Sequence, residues 1–226
     1  MMHDGQEIKI LLEDPLFLVV EKPSGIPSQP LKDKALSLAS LLAEKYPELR
    51  NIGGLDGGAV HRLDRETSGL MIFARTSSTY DWFREQFSKN KIEKEYTALV
   101  VGEISQPGKI TWPIGGDPRS SKKVKVYKNI KEGRRHKAQE AVTFYEPLSL
   151  REGAWGKVTL VSIRIKTGRR HQIRAHMASI GHPLVGDRLY KGPEGKRLFL
   201  HASKICFEHP KTGVLCYFSS RPFSFS

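Results

Sequence analysis

The apolar residues of this chain come in short runs broken by turn signals, and this limits the available folds more than any other feature. Ile8–Leu12 and Leu16–Val20 flank Asp14-Pro15, and Ala59–Leu63 and Leu70–Ala74 flank a polar turn. Ile92–Val101, a stretch near Ile110, Val124–Tyr127, Ala141–Tyr145, Val158–Ile165, Lys204–Glu208 and Val214–Phe218 complete the set. Runs of this length, rich in β-branched and aromatic residues, read as strands. Helical spacing occurs over Ser37–Tyr46, closed by Pro47, and from a Thr76 or Ser77 cap to about Lys89, with Trp82, Phe83 and Phe87 turned inward. A further helix is expected to open at Thr167 and end at Gly181. Short strands with few intervening helices predict an α+β chain with a mixed, mainly antiparallel central sheet.

No apolar run approaches the ~20 residues that a bilayer span needs. A hydrophobic fraction of 38% and a charged fraction of 27% fit a folded chain better than a disordered one. The length allows one large domain or two small ones, and residues 1–226 are expected to form a single catalytic domain. The polar start Met1–Glu7 lacks the features of a secretory signal, so the expected location is the cytoplasm. Cys206 and Cys216 suit a reducing compartment, and the turn at Pro210–Gly213 predicts that they lie on neighbouring strands of a hairpin.

The net charge of +13 is unevenly spread. Residues 119–137 carry nine Lys and Arg side chains against the single acid Glu132, and residues 164–174 add Arg164, Lys166, Arg169, Arg170 and Arg174 with no acid. Such surplus suits a polyanion, because each neutralised phosphate releases counterions. The glycines and lysines of 115–137 predict a projecting basic loop or β-ribbon, with Lys122, Lys123 and Lys125 as RNA contacts. RNA is therefore the expected partner and a monomer the simplest state. No membrane association is expected.

Chemistry concentrates in His61-Arg62-Leu63-Asp64-Arg65-Glu66-Thr67-Ser68-Gly69. Asp64 stands among arginines, and opposite charges nearby favour its anion, which can act as a nucleophile when held in a fixed pose. Arg62, two residues away, shares a face with Asp64 if the segment is extended. It could fill the gap left by a flipped base, hold a phosphate, or simply pair with the acid. Glu66 on the same face would give paired carboxylates, as in an inverting glycosidase, although Thr67-Ser68-Gly69 signals a turn. Arg174 offers a second cation whose fork can bind both oxygens of Asp64, and His171 lies three residues before it on the expected helix. Arg169, Arg170 and His171 are candidate substrate contacts. Tyr96 is either a core residue or one whose hydroxyl reaches outward. No pattern of histidine and cysteine points to a metal site.

Five segments together resemble the RluA-type pseudouridine synthases: Asp14–Gln29 with its Val20-Glu21-Lys22-Pro23-Ser24-Gly25, HRLDRETSGLMIFAR at 61–75, Lys94–Val100, TGRRHQIRAHMASIGHPLVGDRLY at 167–190, and Leu200-His201-Ala202. The resemblance implies isomerisation of uridine to pseudouridine in structured RNA (tRNA or rRNA), on a mixed, mostly antiparallel sheet with a cleft across its middle. It implies that Asp64 is the catalytic aspartate and that Arg62 takes the place of the flipped nucleotide. Tyr96 would pack against the base and help move a proton, Ile173 would line the uracil face and Arg174 would pair with Asp64. The net reaction consumes no electron, water or energy carrier, so the resemblance implies neither cofactor nor metal. Many relatives carry an S4-type RNA-binding domain, for which strand-like sequence beginning at Ile8 leaves no room. A stand-alone catalytic domain is expected. The alternative from charge alone is a non-catalytic RNA-binding or assembly factor.

Overall fold

The computed structural model describes residues 2–3, 6–30 and 36–223. In chain order the strands are β1 (Met2–His3), β2 (Gln6–Glu7), β3 (Lys9–Glu13), β4 (Phe17–Lys22), β5 (Ser68–Ala74), β6 (Glu93–Val101), β7 (Gly108–Ile110), β8 (Ile114–Asp117), β9 (Ser120–Val126), β10 (Thr143–Gly153), β11 (Gly156–Ile165), β12 (Leu200–Glu208) and β13 (Leu215–Ser219). The helices are α1 (Leu38–Lys45), α2 (Ser77–Ser88), α3 (Ile130–Gly133) and α4 (Gln172–Ser179). The chain divides into two compact units, one made of residues 1–94 and 201–226 and the other of residues 95–200. The architecture is α+β with a mainly antiparallel sheet, as the short apolar runs predict.

In the first unit β3, β4 and β5 pair antiparallel in that order. β12 joins β5 in parallel through His201↔Ser68 and Ala202↔Gly69, and β13 pairs antiparallel with β12. Every residue of β5 is buried, so this strand carries core on both faces. Phe17, Phe83 and Phe207 meet edge to face with centroids 5.2–5.6 Å apart, among Val19, Leu70, Ile72 and Ile205. α2 brings Phe83 into this cluster, while Trp82 and Phe87 are half-buried at its rim. Its start is set by the Thr76 side chain, which accepts the Thr79 amide. Ser37 and Ser40 exchange capping bonds at the start of α1.

Gly69 has a φ of +117°, and a side chain there would run into the Ala202 backbone. Only glycine lets β5 and β12 approach. Ala59–Leu63 is not the expected strand, because only Ala59 bridges to Phe73 before the chain leaves for the Asp64 turn. Cys206 and Cys216 do lie on paired strands, opposite Tyr217 and Phe207. They are one residue out of register and so point to opposite faces.

In the second unit the order is β6-β11-β10-β7, antiparallel throughout. β11 buries Val161 and Ile163 and exposes Arg164, the alternation of a sheet with one covered face. β8 and β9 form a separate hairpin, followed by α3. The helix expected from Thr167 begins only at Gln172. The Gln172 amide instead organises the preceding loop: its Oε1 accepts from Thr167 Oγ1 and the Arg169 amide, and its Nε2 donates to Val142 O and Thr143 Oγ1. His171 then takes a left-handed φ of +50°, which is incompatible with helix continuing through it. Among the described residues no helix is long and apolar enough to cross a membrane.

Candidate active site

The Asp64 segment is a tight turn in which Thr67 N donates to Asp64 O at 3.1 Å. It is held from below by the loop after β4. Lys22, opposite Gly69 in the β4–β5 register, is fully buried. Its Nζ donates to Pro23 O at 2.9 Å, Ile26 O at 2.7 Å and Arg65 O at 2.9 Å. A buried ammonium is costly unless every proton finds an acceptor, so the three carbonyls must converge on it. Around this centre Gly25 N donates to Arg65 O at 2.9 Å and Arg65 Nε to Gly25 O at 2.8 Å. Ser28 Oγ donates to Leu63 O at 2.8 Å and accepts from Leu63 N, and Ser24 Oγ donates to Glu66 O at 2.7 Å. Residues on both sides of Asp64 are thus bonded to one short, proline-stiffened loop.

Asp64 is half-buried, and Arg62, Arg65 and Glu66 are exposed. Because residues 62–64 form no strand, the alternation argued from sequence for Arg62, Asp64 and Glu66 does not apply. Glu66 faces Arg65 across 3.7 Å at the surface, which offers none of the apolar enclosure of a glycosidase acid. His61 is a scaffold residue: its Nε2 accepts the Ile72 amide at 3.1 Å and its ring lies 4.8 Å from that of Phe87. Burial pushes its pKa down to about 3, with Lys94 adding repulsion, so the ring stays neutral. His201 bridges Ser68 Oγ at 2.7 Å and Ser220 Oγ at 2.9 Å, stitching the parallel β5–β12 junction.

In the second unit Tyr96 is buried on β6 opposite Ile163 of β11. Ile173 and Arg174 are buried in the first turn of α4. Arg174 is clasped by Asp187, with Nε to Oδ2 at 2.7 Å and Nη2 to Oδ1 at 2.8 Å. Such a bidentate pair fixes the guanidinium plane. His171 lies outside α4, so it does not share a helical face with Arg174. Its Nδ1 meets Tyr190 Oη at 3.1 Å, and the Tyr190 ring lies 5.3 Å beneath the Arg174 guanidinium.

Residues 115–137 comprise most of the β8–β9 hairpin, α3 and a 3₁₀ turn. Arg170 holds the hairpin through Ser121 O at 3.1 Å and Lys122 O. Arg169 Nε donates to Glu140 O at 3.0 Å. Of the three hairpin lysines, Lys122 and Lys125 are exposed, while Lys123 pairs with Asp117 at 3.6 Å. Sequence reasoning passed over Lys22, Ser28, Asp187 and Tyr190. Asp187 had a visible signal as the cap of the 3₁₀ turn Arg188–Tyr190. Among the described residues no three His, Cys, Asp or Glu side chains group as a metal site.

A model of the RNA pseudouridylate synthase family matches residues 16–179. The chain belongs to that family of isomerases. It is 36% identical to an uncharacterized RNA pseudouridine synthase of Bacillus subtilis, over 92% of this chain and 67% of that protein. It is 36% identical to tRNA pseudouridine synthase C of Haemophilus ducreyi, over 91% and 87% of the two chains. To the dual-specificity RNA pseudouridine synthase RluA of Vibrio parahaemolyticus it is 37% identical, over 90% and 78%. The chain spans only 58% of the length of a relative from Chloroflexus aurantiacus. In fold it matches human RNA pseudouridylate synthase domain containing 1, with a TM-score of 0.78 at 24% identity, over 97% of this chain and 86% of that one.

Two outcomes follow from this geometry. Lys22→Met removes the ammonium from the buried carbonyls of Pro23 and Ile26 and from Arg65 O, which keeps its Gly25 amide, and is expected to cost about 3 kcal/mol or more in urea denaturation, with amide exchange at Arg65–Thr67 rising beyond that of the core. A loss below about 1 kcal/mol would show that the ammonium does not hold the turn. For His61 the folded pKa of about 3 lies below the unfolded value of about 6.5, so below the latter the unfolded chain takes up a proton that the folded chain refuses. Stability is expected to fall between those two pH values, by up to about 1.4 kcal/mol per pH unit from this group, and His61→Gln should flatten the slope.

Proposed function

We propose that this chain is an RNA pseudouridine synthase that converts particular uridines of structured RNA to pseudouridine, with Asp64 as the catalytic carboxylate. The observation that carries the proposal is the family match across residues 16–179, which contains both the Asp64 turn and the Arg174 helix. Its support in the geometry is the anchoring of the turn on both sides of Asp64 to the Lys22–Ser28 loop. An attacking carboxylate needs such restraint, because proximity accelerates a reaction only when the group is held near its reactive pose.

In this proposal the target uridine leaves its helix, at a cost of a few kcal/mol of unstacking, and exposed Arg62 enters the vacancy. Asp64 drives cleavage of the glycosidic bond, and the uracil turns and rejoins through carbon. Tyr96 packs against the base and assists proton movement, Ile173 lines the face of the uracil, and Arg174, whose plane Asp187 fixes, belongs to the proposed catalytic set. Arg169, Arg170 and His171 with Lys122, Lys123 and Lys125 form the basic surface for the RNA backbone. Either tRNA or rRNA is a candidate substrate, since relatives are named for a tRNA enzyme, for a large-ribosomal-subunit enzyme and for a dual-specificity enzyme. The cytoplasm, where such RNA resides, is the proposed location, and residues 1–226 are proposed to act as one catalytic domain.

Asp64→Asn, nearly isosteric, is expected to fold and bind RNA while pseudouridine formation drops by at least about a thousandfold, as measured by modification mapping of cellular RNA. Persistence of every pseudouridine site would leave only the RNA-binding alternative. Neutralising Lys122 and Lys125 should lower the slope of log K against log salt by about one unit per lost phosphate contact. Lys123→Gln alone should change it less, because its ammonium already faces Asp117.

A further inference from the structure

Tyr190 links two parts of the second unit that have different tasks. Its hydroxyl accepts the Val124 amide of β9 at 2.9 Å and contacts His171 Nδ1 at 3.1 Å. Its ring lies 5.3 Å beneath the Arg174 guanidinium, and its own amide reaches Asp187 Oδ1 at 3.3 Å. One side chain therefore touches the basic hairpin at its tip and the Arg174–Asp187 pair at its ring and backbone. The attachment point matters: Val124 sits between Lys123 and Lys125. The Arg170 guanidinium grips the carbonyls of Ser121 and Lys122 just before it.

A hairpin joined to its body only through its ends would swing, because a two-stranded ribbon is marginally stable alone. Here the middle of β9 is tied down, and one tie passes through a rigid ring packed against a buried ion pair. We propose that Tyr190 is a positioning residue that locks the β8–β9 hairpin to the Arg174–Asp187 pair, so that RNA gripped by the hairpin lysines is held in fixed register with Arg174. This inference rests on the RNA pseudouridine synthase reading for its meaning in catalysis, and on the hydrogen-bond geometry for its existence. Tyr190 acts through the hairpin and through Arg174, without a role in bond making.

The test uses Tyr190→Phe in the full chain, which removes the hydroxyl and keeps the ring under Arg174. Amide exchange at Val124 is expected to quicken about tenfold with Ile163 on β11 unchanged, as for the loss of one hydrogen bond that holds a local unit closed. With a structured uridine-containing RNA transcript, KM should rise about three- to tenfold while kcat stays within about twofold, since the hairpin's grip on RNA loosens while the ring still holds Arg174. Tyr190→Leu, which also removes the ring, should lower kcat as well. Unchanged Val124 exchange, an unchanged KM, or equal kcat losses in the two variants would each overturn the inference. If the unaltered chain makes no pseudouridine in any RNA, the proposed function fails. The exchange data and RNA affinity measured by titration then still decide whether Tyr190 docks the hairpin.

Discussion

The ammonium of Lys22 is the constraint on which the candidate site depends. It is out of water, so its three protons must be met by oxygen, and it donates to main-chain carbonyls from two separate loops. That requirement turns a sequence-distant pair of loops into one rigid block. Carbonyls cannot titrate away, and they bring backbone with them. The position of the chain at Arg65, next to Asp64, is thereby set to within hydrogen-bond tolerance. The phenylalanine cluster under β4 and β5 supplies the non-directional stability that makes burial of the charge tolerable.

The second unit solves a similar problem with a different pair of groups. Arg174 is buried, always charged and planar, and Asp187 meets it with both oxygens. The pair is then faced by an aromatic ring, whose negative face suits a guanidinium. From the same place Arg170 and Tyr190 reach to the hairpin, and His171 contacts the Tyr190 hydroxyl. The positive charge of this region thus divides in two. Arg170 and Arg174 are engaged within the protein, whereas Lys122 and Lys125 stand exposed, where a phosphate backbone could meet them.

Much of the fold was legible because short alternating runs have few solutions. β4, β5, β6 and β11, α1 and α2 lie close to where periodicity and caps put them. The failures share a cause. The 59–63 segment is as apolar as a strand, but its neighbours turn it away after a single bridge at Ala59. The start of α4 slipped from Thr167 to Gln172 because a side-chain amide with four bonds outcompeted the helical alternative for the loop. Arg62, Asp64 and Glu66 were argued onto one face by strand geometry, which a turn does not obey.

Local sequence alone determined the chemistry on offer: Asp64 set between Arg62 and Arg65, a basic surplus at 119–137, and the joint motifs that mark the family. Such properties are carried by residue type and spacing, which survive in one dimension. Tertiary structure decided which groups are spoken for. That Lys22 is a buried anchor, that Arg174 is held by Asp187, and that Tyr190 reaches β9 from 66 positions away all depend on contacts between segments remote in the chain. A charge declares its sign in the sequence, but its partner is chosen by burial, because only the loss of water makes an unmet donor costly enough to dictate where the backbone goes.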